Sequence, residues 1–100
     1  MSITVTLKED QDTAVIAVVG SFDFSLFNDF RVAYSDLLKS YRYYVVDMTM
    51  VEYLDSAALG MLLSMRNFIA SDSHIQLRGA NAFIKNILMI SRFDKRFDIQ

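Results

Sequence analysis

The stretch that decides the fold runs Val45-Val46-Asp47-Met48-Thr49-Met50-Val51-Glu52-Tyr53-Leu54-Asp55-Ser56-Ala57-Ala58-Leu59-Gly60. It opens inside an apolar, β-branched run, Tyr43 to Met48, whose composition predicts a strand. Thr49 to Leu54 reads as a loop, unusually greasy for one, with Met50, Val51, Tyr53 and Leu54 in it. From Ser56 to about Ala70 the spacing changes to three and four. Ala58, Met61, Leu62, Met65, Phe68 and Ile69 then fall on one side of a helix. A strand, a loop and a helix that opens on an Asp-Ser pair are the first part of a β-α-β unit.

Upstream, Ile3, Val5 and Leu7 alternate with Thr4, Thr6 and Lys8, a strand with one wet face. Glu9 to Asp12 is a polar turn. Thr13 to Val19 is apolar at nearly every position, which marks a central strand ended by Gly20. The two strands predict a hairpin. A helix is expected from Ser25, a suitable N-cap, to about Ser40, with Leu26, Phe27, Phe30, Ala33, Tyr34, Leu37 and Leu38 inward. Downstream, His74 to Leu77 is a short strand closed by Gly79. Ala80 to Ser91 is a third amphipathic helix, with Phe83, Ile84, Ile87, Leu88 and Ile90 inward. Phe97 and Ile99 can supply a last strand. The order predicts an α/β fold: a mixed sheet of four to five strands, mostly parallel with an antiparallel opening hairpin, packed with three main helices. Without proline, repeat or linker, residues 1–100 are expected to form one domain.

The totals narrow the function. Hydrophobic residues make up 53% of the 100, enough for a core without disulfides or metal. The absence of cysteine removes thiolate metal sites and thiol nucleophiles. A net charge of −2 with scattered signs offers no basic stripe, which argues against nucleic acid. No run approaches the roughly 18 apolar residues of a membrane span, and the N-terminus does not read as a signal peptide. Cytoplasmic location without membrane insertion is the expectation. The first strand could pair at an edge, so a monomer or weak homodimer is expected.

Little in the chain predicts catalysis. The single histidine, His74, makes a poor metal site on its own. Ser56, His74 and Asp55 form a triad only on paper, since no G-x-S-x-G elbow surrounds Ser56. Gly20, Gly60 and Gly79 are too far apart for a phosphate loop. Asp23, Asp47 and Asp55 could converge on Mg²⁺ at the C-terminal edge of a parallel sheet, but capping and turn closure are the plainer roles. The expectation is a protein that is not an enzyme and needs no cofactor or metal.

The Val45–Gly60 stretch resembles the signature of the STAS domains of bacterial anti-sigma factor antagonists: an apolar strand, a short loop, then Asp-Ser-x-Gly-Leu-Gly opening a helix. Gly20-Ser21-Phe22-Asp23 resembles the family's Gly-x-hydrophobic-Asp, and Ile84 through Phe97 its closing helix, turn and apolar pair. The chain departs at Ala58, where the family has glycine, and at Arg92, where many relatives have glycine. The alanine is expected to restrict close approach of a partner's backbone. The resemblance implies phosphorylation at Ser56 by a partner that is both anti-sigma factor and HATPase-type serine kinase. It implies removal of the phosphate by a PP2C-type phosphatase, and binding only when Ser56 is unmodified. The implied binding surface takes in Asp23, Asp55, Ser56, Ala57 and Ala58, flanked by Phe22, Phe24, Met50 and Tyr53. The alternative within the family is a cytoplasmic STAS subunit of a lipid-transporting ABC system, without the phospho-switch.

Overall fold

The computed structural model describes residues 2–100. Strand β1 (Ser2–Lys8) and β2 (Thr13–Phe22) form the antiparallel hairpin. Helix α1 (Phe27–Ser35) leads to β3 (Tyr43–Leu54), α2 (Ser56–Phe68), β4 (His74–Arg78), α3 (Ala82–Ile90) and β5 (Asp98–Ile99). The five strands lie in the order of the sequence, β1-β2-β3-β4-β5, and every pair after the first is parallel.

That simple order decides where the helices go. Each crossover from β2 onward advances in the same direction, and right-handed crossovers then place every helix on one face. Burial follows the pleat. Ala14, Ile16 and Val18 of β2, Tyr44, Val46 and Met48 of β3, and Ile75 and Leu77 of β4 are buried in one core with Phe30, Leu62, Met65, Ile84 and Leu88 from the helices. Each large side chain so buried contributes about 1.5–3 kcal/mol. The opposite face is not covered by helices. It holds Thr13, Val15, Tyr43, Val45, His74, Gln76 and Arg78 around a shallow cleft of about 340 Å³.

Several boundaries move for identifiable reasons. Gly20 does not end β2. With φ 93 it lies in an irregular stretch where the β2–β3 register shifts, and the strand runs on to Phe22. That extension gives β3 a partner, so Thr49–Leu54 is strand and not loop: Val19 faces Met50, Ser21 faces Tyr53 and Phe22 faces Leu54. Helix α1 is shorter than expected. Phe24–Leu26 is a 3₁₀ turn capped by Asp23, not a helix started by Ser25, and α1 stops at Ser35. Beyond it the chain turns back to bury Tyr41, whose N–H donates to the Tyr44 hydroxyl, and Leu38 is left fully exposed. In α3 only Ile84 and Leu88 are buried, while Phe83 and Ile90 face solvent. They sit about 100–120° round the helix from Ile84, beyond the stripe that a single sheet face can cover. Phe68, also expected inward, is exposed, with its ring edge-to-face against Tyr34. At Gly79, φ 79 and the closeness of Thr49 leave no room for a Cβ.

Candidate functional site

The site is built where β2 and β3 end side by side. Their register pairs Phe22 with Leu54, and the Asp55 N–H donates to the Phe22 carbonyl at 3.4 Å. Asp23 and Asp55 therefore leave the sheet together. Asp55 is extended (φ −112, ψ 180) and caps α2, its carboxylate accepting the Ala58 N–H at 3.0 Å. Asp23 does the same for the neighbouring turn, accepting the Ser25 N–H at 2.9 Å. Two short acidic side chains at N-caps satisfy donors that a helix cannot satisfy itself. Ser56 is the first residue of α2 and is exposed; Ala57 beside it is half-buried.

Apolar side chains are exposed on the segments that lead into and flank this end of the sheet. Phe24 is 67% exposed, Met50 62%, Tyr53 53% and Phe27 39%. Phe24 and Phe27 stack with ring centroids 5.5 Å apart. Sequence reasoning missed Phe27 by counting it into the inward face of α1. The signal available was its spacing of three from Phe24, since residues three apart eclipse in a 3₁₀ turn. Gly60, one turn beyond Ser56, is exposed, and a Cβ there would meet nothing within 4 Å. Residues 9–30 and 43–65 contain no lysine or arginine and include Asp23, Asp29, Glu52 and Asp55, while Arg31 lines a recess together with Phe27.

Two residues expected at the binding surface are buried. Phe22 is wholly buried, packed on Phe30 with centroids 5.1 Å apart, because the extended β2 keeps the pleat and turns it inward. Ala58 is also wholly buried. Its methyl faces the core, so replacing the family's glycine there does not alter the surface. The structure thus brings Asp23, Asp55, Ser56, Ala57, Phe24, Met50 and Tyr53 to one end of the sheet and withdraws Phe22 and Ala58 beneath it.

Asp47 is engaged elsewhere. It lies on the open sheet face, where it accepts from the Thr49 N–H at 3.0 Å and hydroxyl at 2.6 Å and pairs with Arg78 at 3.4 Å. Burial works against its charge, but the bonds from Thr49 and Arg78 outweigh it and hold the carboxyl below its ordinary value. Among the described residues no three His, Cys, Asp or Glu side chains are grouped so as to hold a metal ion. No helix among them is long and apolar enough to cross a membrane.

A family model described as "Mlab, STAS domain" matches residues 5–99. A STAS-domain containing protein of Pseudomonas aeruginosa (strain UCBPP-PA14) is 39% identical over 100 residues, covering 99% of both chains. Among solved structures, a putative anti-sigma factor antagonist from Thermotoga maritima superposes with a TM-score of 0.82, at 19% identity, over 97% of this chain and 84% of that one. The Bacillus cell fate determinant SpoIIAA in its phosphorylated form gives 0.73 at 13% identity, over 99% and 91%. At these identities the two structures show a common fold.

Proposed function

The chain belongs to the STAS domain family, and from that membership we propose that it acts as an anti-sigma factor antagonist switched by phosphorylation of Ser56. It is a cytoplasmic binding protein in this reading, not an enzyme. Its partner is an anti-sigma factor that is also a HATPase-type serine kinase, and a PP2C-type phosphatase reverses the modification. The observation that carries the reading is the placement of Ser56: exposed, first in α2 and beside the capping Asp55, at the end of the sheet where Phe24, Met50 and Tyr53 are also exposed. The existence of SpoIIAA in a phosphorylated form, on the same fold, supports it.

The physics of the switch is local. The N-terminus of α2 carries unpaired N–H groups and a partial positive charge, so a phosphate at its first residue is tolerated by the fold. The phosphate brings about −1.5 to −2 charges. It lands beside Asp55 and Asp23, at an apolar surface that a partner has to dehydrate. Repulsion and desolvation then oppose docking, with no change of shape required.

The test is phosphorylation and capture with each anti-sigma kinase encoded in the same genome. Wild type is labelled by one of them, Ser56→Ala is not, and Ser56→Asp keeps its fold but binds at least about tenfold more weakly, a loss of ~1.4 kcal/mol. Equal labelling of wild type and Ser56→Ala, or equal binding by the Ala and Asp forms, overturns the proposal. Capture only by a membrane permease or its ATPase, indifferent to Ser56, identifies the transporter subunit instead.

A further inference from the structure

The two edges of the sheet are protected very differently. β5 is two residues long and begins with a charge, Asp98. β1 is seven residues long, pairs without a bulge to β2 on one side, and is the terminal strand on the other. Ser2-Ile3-Thr4-Val5-Thr6-Leu7-Lys8 has no proline and a single charge, at its last position. Natural sheets normally guard an edge of that length, because its unpaired N–H and C=O groups template another strand.

We infer that β1 is the contact surface for a second copy of this chain, joined by antiparallel β1–β1 pairing about a two-fold axis at Val5. The strand is self-complementary in that register. Val5 opposes Val5, Thr4 opposes Thr6, Ile3 opposes Leu7 and Ser2 opposes Lys8, so all seven residues are used and no like charges meet. The two faces match as well. By the β1–β2 register, Ile3, Val5 and Leu7 share the helix-bearing side with Val18, Ile16 and Ala14, and the threonines share the open side. Val5 and Leu7 remain 39% and 44% exposed there although they face the core side. The copy's Val5, Leu7 and Ile3 cover them, and the threonines form cross-strand pairs on the other face.

The area sets the strength. A seven-residue strand is about 24 Å long and a sheet about 10 Å thick, so the joint buries roughly 500 Å² in total, below the ~1,200 Å² of stable complexes. The dimer is therefore weak and concentration-dependent. β2 separates β1 from β3, at whose far end Ser56 stands, so pairing leaves the Ser56 surface open, and the two proposals fail independently.

Sedimentation of the full chain tests this. The weight-average mass is expected to climb from 11.5 kDa toward twice that value between about 10 μM and 1 mM, the range appropriate to so small an interface. Val5→Lys and Val5→Glu, each shown folded by circular dichroism, stay monomeric alone and associate when mixed. Should either fail to fold, Val5→Cys reads the same register, because the chain has no other cysteine. It cross-links to itself under mild oxidation, whereas Ile3→Cys and Leu7→Cys cross-link only with each other. A wild-type mass of 11.5 kDa at every concentration overturns the inference, as does indifference of association to Val5→Lys, or self-cross-linking at position 3 or 7 in place of 5.

Discussion

Phe22 and Phe24 stand two positions apart and have opposite fates. Phe22 is the last residue of β2, its ring against Phe30; Phe24 is past the Asp23 cap, with its ring in solvent against Phe27. The pair separates folding from docking. Phe22→Ala empties a closed site and is expected to cost about 3–5 kcal/mol of stability. Phe24→Ala is expected to cost less than about 1 kcal/mol while weakening capture of the proposed kinase partner. Urea denaturation and a binding titration on both variants check this; a Phe24→Ala form that unfolds easily and binds normally contradicts it. Arg92 offers a second contrast. It holds φ 62 after α3, a conformation in which a Cβ is strained and glycine is not. Arg92→Gly is expected to raise stability by about 0.5–1 kcal/mol, seen as a higher urea midpoint.

Among the elements, β3 and α2 carry the site. The second half of β3 exists because β2 continues through its irregular Gly20 stretch and offers a partner. That pairing turns Val51 and Leu54 inward and Met50 and Tyr53 outward. Helix α2 then presents Ser56 and Gly60 one above the other, since residues four apart share a face. In the proposed complex the exposed Gly60, and not the buried Ala58, is the position at which a partner's backbone can come close to α2. In free protein Gly60→Ala meets no obstacle and is expected to stabilise the helix by up to about 1 kcal/mol. The same methyl is expected to weaken partner binding. A variant that is more stable yet binds as tightly as wild type removes Gly60 from the docking surface.

Across the whole molecule the two ends of the sheet divide their labour. The end bearing Ser56 carries the capping Asp23 and Asp55 and exposed apolar side chains; the other is tied together by polar contacts. There the Tyr41 hydroxyl donates to Glu9 at 2.5 Å, Lys39 pairs with Asp12 at 3.1 Å and the Tyr43 N–H reaches the Asp12 carbonyl at 3.1 Å. These bonds lock the β1–β2 turn to the segment entering β3. The bond to Glu9, with burial and the nearby carboxylates adding to it, pushes the Tyr41 hydroxyl up to about 12. An unfolded tyrosine ionises near 10, so between about 10 and 12 the unfolded chain loses a proton that the folded one keeps. The contribution is complete below pH 10 and lost as pH rises through 12. Tyr41→Phe should therefore show a shallower fall of urea midpoint over that range. Part of the fall remains, because the Asp12 hydrogen bond also holds the Lys39 ammonium above its ordinary value. An identical alkaline slope in variant and wild type contradicts the assignment.

What the sequence determined by itself is local in origin. Alternation and spacing of three and four marked the strands and helices, and their order implied a parallel sheet behind an opening hairpin. Asp55 beside Ser56 marked a capped helix start because capping is decided within four residues. The extension of β2 and β3 was not legible: Gly20 and Ser21 read as a stop, and only strand pairing across more than twenty residues makes that segment a strand. The one-sided cover of the sheet, the outward Phe83 and Ile90, the buried Phe22 and Ala58 and the exposed Phe27 have the same cause. An apolar side chain is drawn out of water wherever a neighbour offers a surface, and which residues have such a neighbour is decided only when the tertiary structure closes.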